Sequence, residues 1–219
     1  MIGISTLVWR REEVFEMWAN NVIKTFGNIP VSVSYSEPHY RAIIEGFGFI
    51  AVESPNNLLG RKANASIQAL RGLCDYVITT GSDDLFSANM PEIYEANKNY
   101  DYFGFLDCYF YNAKLDKSLY WPGYTCQRKG EPIGAGKMVS AKLLDQMNWQ
   151  PFRNDISKSL DYFYTMKVKM LTNSYKFVNL VDYNAYLVDV KTDQNITKWE
   201  VLQNVTRKVH NEWRVMTKI

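Results

Sequence analysis

The first half of the chain alternates between two hydrophobic periods. Ile2 to Val8 reads as a buried strand, and Glu12 to Phe26 follows with Val14, Phe15, Trp18, Val22 and Ile23 at helical spacing. Val31 to Tyr35 predicts a second strand. Glu37 to Gly46 predicts a short helix whose Pro38 falls in the first turn, where a missing N–H costs little. Phe49 to Val52 predicts a third strand, Gly60 to Arg71 a helix with Ala63, Ile67 and Leu70 on one face, and Tyr76 to Thr80 a fourth strand. Such an alternation predicts an α/β fold: a mostly parallel central sheet with helices on both faces.

The second half has another texture. Tyr102 to Tyr111 is strand-like and strongly aromatic, and Leu119 to Tyr124 reads as a further strand with a Pro-Gly turn inside it. Lys137 to Met147 predicts a strand leading into a helix, Ser157 to Lys169 a helix, Ala185 to Val190 a late strand and Thr197 to Val215 a C-terminal helix. No internal repeat, low-complexity tract or long Pro/Gly/Ser linker divides these elements, so one domain over residues 1–219 is expected.

Composition narrows the function classes. With 219 residues, 47% hydrophobic and 22% charged, the chain can bury a substantial core. The 15 Tyr and 6 Trp supply flat faces with a polar handle, which suits gripping a ring or a sugar and equally suits a core. A net charge of +2 permits a polyanionic partner without demanding one, since the basic clusters Arg10-Arg11 and Arg207-Lys208 are short. Cys74, Cys108 and Cys126 show no CxxC spacing, which argues against a zinc site and a disulfide framework. No apolar run approaches the roughly 20 residues of a membrane span. A cytoplasmic protein is expected, in which the sequons at Asn64, Asn195 and Asn204 carry no meaning.

The sharpest chemical feature lies in Asp75 to Asp84. An apolar strand ends in a small-residue turn, and the adjacent carboxylates of Asp83 and Asp84 follow. In an open α/β sheet the ligand crevice lies beyond the carboxyl ends of the strands. Two carboxylates there require a cation or hydrogen bonds. Mg2+ or Mn2+ held by one or two carboxylates and bridging phosphate oxygens is the usual solution. The alternative is an Asx-turn or a helix cap. The Gly134-Ala135-Gly136 turn would let backbone approach a substrate, or is a plain tight turn. Asp107, Tyr109, Tyr111, Trp121 and Tyr124 either line an aromatic cleft or pack on a helix.

In order and spacing, Gly60, Lys62, Asn64 and Ser82-Asp83-Asp84 resemble the stretch around the acidic motif of family 2 glycosyltransferases, in which a Gly-led helix precedes an aspartate-rich turn. Ser5 to Arg10 resembles the first-strand end that contacts the nucleotide. Gly130 to Ser140 and Leu187 to Asp193 resemble segments of phage-encoded members, the latter with no role derived. Departures from the pattern are Gly81 in place of the first aspartate, Tyr35-Ser36-Glu37 in place of an Asp-rich turn, and Leu160-Asp161 in place of a Glu-Asp pair.

The resemblance implies a GT-A fold with a nucleotide-sugar-binding half over about 1–100 and an acceptor-side half over about 101–219. It implies an inverting, Mn2+- or Mg2+-dependent glycosyltransferase with the metal on Asp83 and Asp84, and Thr6, Val8, Arg10, Arg61, Lys62, Asn64, Ser82, Gly134, Ala135 and Gly136 around the donor, a UDP-sugar by preference. Asp161 falls where such enzymes place their base, with Asp155 in reserve; an ordinary surface or capping aspartate is the alternative for both. His210 is a further candidate metal ligand, and His39 has no assigned role. The phage-encoded members imply double-stranded DNA with hydroxymethylated pyrimidines as acceptor. A glycan or protein acceptor, or a non-catalytic nucleotide- or glycan-binding module, are the alternatives.

Overall fold

The computed structural model describes residues 1–193, 195, 199–204 and 206–209. The first half runs β1 (Ile2–Leu7), α1 (Glu12–Phe26), β2 (Val31–Tyr35), α2 (Tyr40–Gly46), β3 (Ile50–Glu53), α3 (Leu59–Gln68), β4 (Tyr76–Thr79), β5 (Asp84–Phe86) and α4 (Met90–Glu95). There follow β6 (Tyr102–Phe105), β7 (Cys108–Asn112), β8 (Lys117–Trp121), β9 (Lys137–Ser140), α5 (Ala141–Gln146), α6 (Leu160–Leu171), β10 (Tyr175–Val178), β11 (Leu187–Lys191), α7 (Trp199–Leu202) and β12 (Arg207–Val209).

Among the described residues the larger sheet has seven strands in the order β10-β6-β9-β4-β1-β2-β3. β1 lies parallel to β2 and β4, β2 to β3 and β10 to β6, while β9 enters antiparallel between β4 and β6. Alternating side chains feed two cores, as the two-residue strand period requires. Ile4, Val33, Ile78, Phe103 and Met138 pack with Phe15, Trp18 and Val22 of α1 and with Tyr40 and Ile44 of α2. Val77, Tyr102 and Val139 point the other way, towards Ile67 of α3, Leu143 and Leu144 of α5 and Tyr164 and Val168 of α6. The expected mostly parallel sheet with helices on both faces is present.

A second sheet of five strands, in the order β12-β8-β7-β11-β5, was not resolved as such by the sequence pattern. The aromatic run expected as one strand from Tyr102 to Tyr111 is two strands, one in each sheet. The break is at Asp107, whose buried carboxylate accepts the amide of Leu180 at 2.5 Å and the hydroxyl of Tyr120 at 3.0 Å. β5 is pinned to α1 by Asn21, whose amide side chain bonds both the N–H of Phe86 at 2.8 Å and its carbonyl at 3.0 Å.

The expected C-terminal helix from Thr197 to Val215 is corrected. Among its described residues, helix covers Trp199–Leu202, and Arg207–Val209 is a strand paired antiparallel to Ser118–Tyr120. The edge of β8 away from β7 pairs with this segment, and that ladder outweighs the apolar spacing that suggested a helix. Residues 197, 198, 205 and 210–215 of the expected helix, His210 among them, lie outside the described residues.

Candidate active site

β1 and β4 run parallel, so their carboxyl ends open on the same side of the sheet. There a cavity of about 670 Å³ is lined on one side by Ser5, Thr6, Leu7, Thr79, Thr80 and Gly81. The facing wall carries Phe110, Trp121 and Tyr124 from the second sheet, and Leu160 and Asp161 from the start of α6. Asp189 and Lys191 of β11 line the floor. The aromatic wall therefore uses Phe110. Tyr109 points to the other face of β7, against Tyr120 and Tyr186, and Asp107 is internal.

Three carboxylates converge beside this cavity. Asp83, Asp84 and Asp189 each bring an oxygen within 4.8 Å of the other two. Asp189 is placed by strand pairing, since β11 lies antiparallel to β5 with Asp189 opposite Asp84. Asp84 is buried; its Oδ2 accepts the Gly81 N–H at 2.5 Å and the Thr80 hydroxyl at 3.0 Å. Arg11 donates to Asp83 at 2.7 Å, Asn195 donates to it at 3.0 Å, and Lys191 donates to Asp189 Oδ2 at 2.6 Å. Asp189 Oδ1 is buried without a hydrogen-bond partner among the described residues. Burial, Asp189 and Asp83 raise the pKa of Asp84 well above the usual carboxylate range. Asp189 is pushed up to about 6 by burial, against the pull of Lys191 and with the help of Asp83. A hard dication fits this donor set: three carboxylates, one of them with an unmatched oxygen, whose mutual repulsion a positive ion would relieve.

Asp161 opens α6. The Tyr124 hydroxyl at 2.7 Å and the Arg128 guanidinium at 2.8 Å both donate to its Oδ2, and Lys137, buried beneath, donates to its backbone carbonyl at 3.1 Å. Arg128 also stacks 3.6 Å from the Tyr124 ring centroid and pairs with Glu131 at 2.8 Å. Burial works to raise the Asp161 pKa, but the Arg128 and Tyr124 hydrogen bonds outweigh it and hold the carboxyl below its usual value. Asp161 is therefore ionised at neutral pH, the state a proton acceptor must be in. Asp155 is exposed, paired with Arg153 at 2.6 Å, and absent from the cavity lining.

Comparison with protein-family models and with curated proteins finds no match. Solved structures do match. Residues 1–349 of Staphylococcus aureus TarS, crystallised with UDP-GlcNAc, superpose with a TM-score of 0.68 over 89% of this chain at 14% identity. The mannosyltransferase PcManGT of Pyrobaculum calidifontis, in complex with GDP-Man and Mn2+, gives 0.60 over 92% of this chain, also at 14% identity. The chain has the GT-A glycosyltransferase fold. It spans 59% and 60% of the lengths of those two structures.

In this GT-A chain the remaining expected donor residues divide into three groups. Thr6 and Gly134 line the cavity, and Ala135 lines a smaller one of about 230 Å³ that adjoins the three carboxylates. Val8, Lys62, Asn64, Ser82 and Gly136 act inside the protein. Lys62 is fully buried and donates to the Val8 carbonyl at 2.7 Å and the Ser36 hydroxyl at 3.1 Å, so it ties the ends of β1 and β2 together; burial lowers its pKa to about 8. The Asn64 side chain clamps the backbone of Phe152 by 2.8 and 3.0 Å bonds. Gly136, at φ +70°, leaves no room for a Cβ, which would lie 2.9 Å from Leu187 and 3.0 Å from Phe105. Arg10 and Arg61 are exposed and line neither cavity, the Arg10 guanidinium lying over Trp9 at 4.4 Å.

Sequence reasoning assigned no site role to Arg11, Asp189 or Lys191, although the last two lie in the Leu187 to Asp193 segment whose resemblance it noted. A signal for the last two was present: Leu187-Val188-Asp189-Val190-Lys191 sets an acid and a base two apart within an apolar strand, hence on one face. Gly81, which departs from the resembled pattern, also has a reason. A Cβ there would sit 2.5 Å from Asp83 Oδ1 and 2.9 Å from Asp84 Oδ2. The third carboxylate reaches the cluster from β11 instead.

Proposed function

We propose that the chain is a divalent-metal-dependent inverting glycosyltransferase that moves a sugar from a nucleoside diphosphate to an acceptor hydroxyl. One observation carries the reading: Asp161, an ionised carboxylate, and Asp189, a member of the three-carboxylate cluster, face the same 670 Å³ cavity. Asp83, Asp84 and Asp189 would hold the cation, which as a Lewis acid stabilises negative charge on a departing diphosphate. Thr6 and its neighbours on β1 and β4 form the wall against which the nucleotide lies. Phe110, Trp121 and Tyr124 offer apolar faces to the sugar or acceptor.

The acceptor hydroxyl attacks the anomeric carbon from the side opposite the leaving group. Its proton passes to the Asp161 carboxylate as the bond from carbon to phosphate oxygen breaks and that electron pair stays on the diphosphate. Proton transfer to a positioned carboxylate supports about 10²–10⁴ in rate. For the acceptor we favour a hydroxymethylated pyrimidine in phage DNA, with the enzyme working in the host cytoplasm. The segments resembling phage-encoded transferases support this choice, and the aromatic wall is suited to stacking on a base.

The test is release of nucleoside diphosphate from a panel of UDP- and GDP-sugars with Mn2+ or Mg2+, with and without hydroxymethylated DNA. The expected result is DNA-stimulated release that is abolished in Asp83→Ala and falls at least a hundredfold in Asp161→Asn. Donor binding without turnover on DNA, glycan or protein acceptors would instead identify a binding module. If the folded protein binds no nucleotide sugar, the reading is wrong.

A further inference from the structure

A diphosphate leaving group needs a positive partner besides the metal, and the cations expected from the sequence do not face the cavity. Arg10 and Arg61 point to solvent and Lys62 is consumed internally. Among the described residues that line the cavity, the cations are Lys158, exposed at the rim, and Lys191. Lys191 is 7% exposed, anchored on β11, and has its Nζ 5.1 Å from the Phe110 ring centroid. Its present partner is Asp189 Oδ2 at 2.6 Å, on the oxygen next to the unpartnered Oδ1. Asp189 thus serves two purposes that compete: it neutralises Lys191, and it belongs to the carboxylate trio. Two of the trio carry a fixed cation, Arg11 on Asp83 and Lys191 on Asp189. Arg11 lines a separate cavity with Glu12, Glu13 and Asp193, whereas Lys191 lines the cavity assigned to the donor.

We propose that Lys191 is the diphosphate-binding side chain of this protein, and that it exchanges Asp189 for a phosphate oxygen when the carboxylate trio is shared with a divalent cation. The inference rests on the nucleotide-sugar reading above. The exchange conserves charge pairing: a carboxylate that gains a cation can release its lysine, and the lysine then meets the anion that arrives with the nucleotide. Before exchange, Lys191 neutralises Asp189 as Arg11 neutralises Asp83, which leaves Asp84 as the member of the trio with no ion pair among the described residues. Asp189 would accordingly be weaker for metal in the free protein than the bare trio implies.

The test uses the purified 219-residue chain, wild type against Lys191→Met and Lys191→Arg, with thermal melting to establish folding. Binding of UDP and uridine, or GDP and guanosine if wild type prefers them, is measured by calorimetry in the presence of Mg2+. Binding of Mn2+ alone is measured by electron paramagnetic resonance. Lys191→Met is expected to weaken the nucleoside diphosphate at least tenfold, to leave the nucleoside unchanged, and to tighten Mn2+ alone by about fivefold, the scale of one modest ion pair released. Lys191→Arg should recover most of the diphosphate affinity. Equal loss of diphosphate and nucleoside would mark a merely structural lysine and overturn the proposal, as would unchanged diphosphate affinity or weakened Mn2+ binding. If wild type itself binds no nucleotide, the functional reading fails, an outcome distinct from failure of the exchange.

Discussion

Replacing Gly81 by Asp would restore the pattern of the resembled family, and the structure predicts that it damages the site. The new Cβ lies 2.5 Å from Asp83 Oδ1 and 2.9 Å from Asp84 Oδ2, so both carboxylates must move. Neither is free to do so. Asp83 is held by Arg11 at 2.7 Å and Asn195 at 3.0 Å, and Asp84 by Thr80 at 3.0 Å and the amide of residue 81 itself at 2.5 Å. Overpacking of this kind costs about 1–3 kcal/mol, and loosening a hydrogen bond to a charged group costs a comparable amount. Gly81→Ala is therefore expected to lose about 2 kcal/mol. Gly81→Asp should lose about 3 kcal/mol or more, because a fourth carboxylate joins three. Urea denaturation of metal-free protein reads the difference as a midpoint lowered by roughly 1 M for alanine. Mn2+ titration should show weaker binding in both variants. A Gly81→Asp protein as stable as wild type and tighter for Mn2+ would refute the argument, since the cluster would then have room for the residue.

Acid-base behaviour gives a second expectation. Asp189 has its folded pKa raised to about 6, so between the unfolded carboxylate value and pH 6 the native state holds a proton that the unfolded state has lost. Its contribution to stability is thus present at low pH and disappears as pH rises through about 6; in EDTA-treated protein, Asp189→Asn should reduce that slope in a series of melts, the remainder belonging to Asp84, whose pKa burial also raises. Mn2+ affinity should rise across the same interval, because metal binding needs the deprotonated carboxylates. Arg128→Gln withdraws the strongest support for charged Asp161, so the acidic limb of activity should move to higher pH; an unmoved limb would exclude Asp161 as the titrating group. Asn64→Ala leaves the Phe152 amide and carbonyl without their partners and should cost about 2 kcal/mol by chemical denaturation while nucleoside affinity changes little.

The parts of the structure legible in the sequence were those written in local periodicity. β2 and α1 begin and end where the apolar spacing places them, and the strand ending before Gly81 leads into Asp83 and Asp84, which line the smaller cavity. The second sheet was not legible, because its members are short, aromatic and joined across long separations. Nothing local in Tyr102 to Tyr111 says that one strand belongs to a different sheet from the other; a carboxylate at 107 buried against Leu180 decides it. The site divides in the same way. Thr6, Asp161 and the Asp83-Asp84 pair were readable beside their own elements. Asp189 and Lys191 join them only through the register of β11 on β5, which no local window contains. Lys62 and Asn64 kept their places in the helix but turned inward, because buried backbone carbonyls and amides nearby needed partners.

The pairing of Asp84 with Asp189 also bears on how the polypeptide matures. β5 has β11 as its strand neighbour in the sheet, and β11 leaves the ribosome long after β5 does. A nascent chain that has completed the first half can close β1 to β4 around α1 and α3, yet it carries β5 as a short open edge with two acidic side chains at its start. Those charges keep a lone edge from recruiting other chains while it waits. The three carboxylates can meet only once β11 has been made, so their mutual repulsion arises in the same step that seats Leu187, Val188 and Val190 in the core.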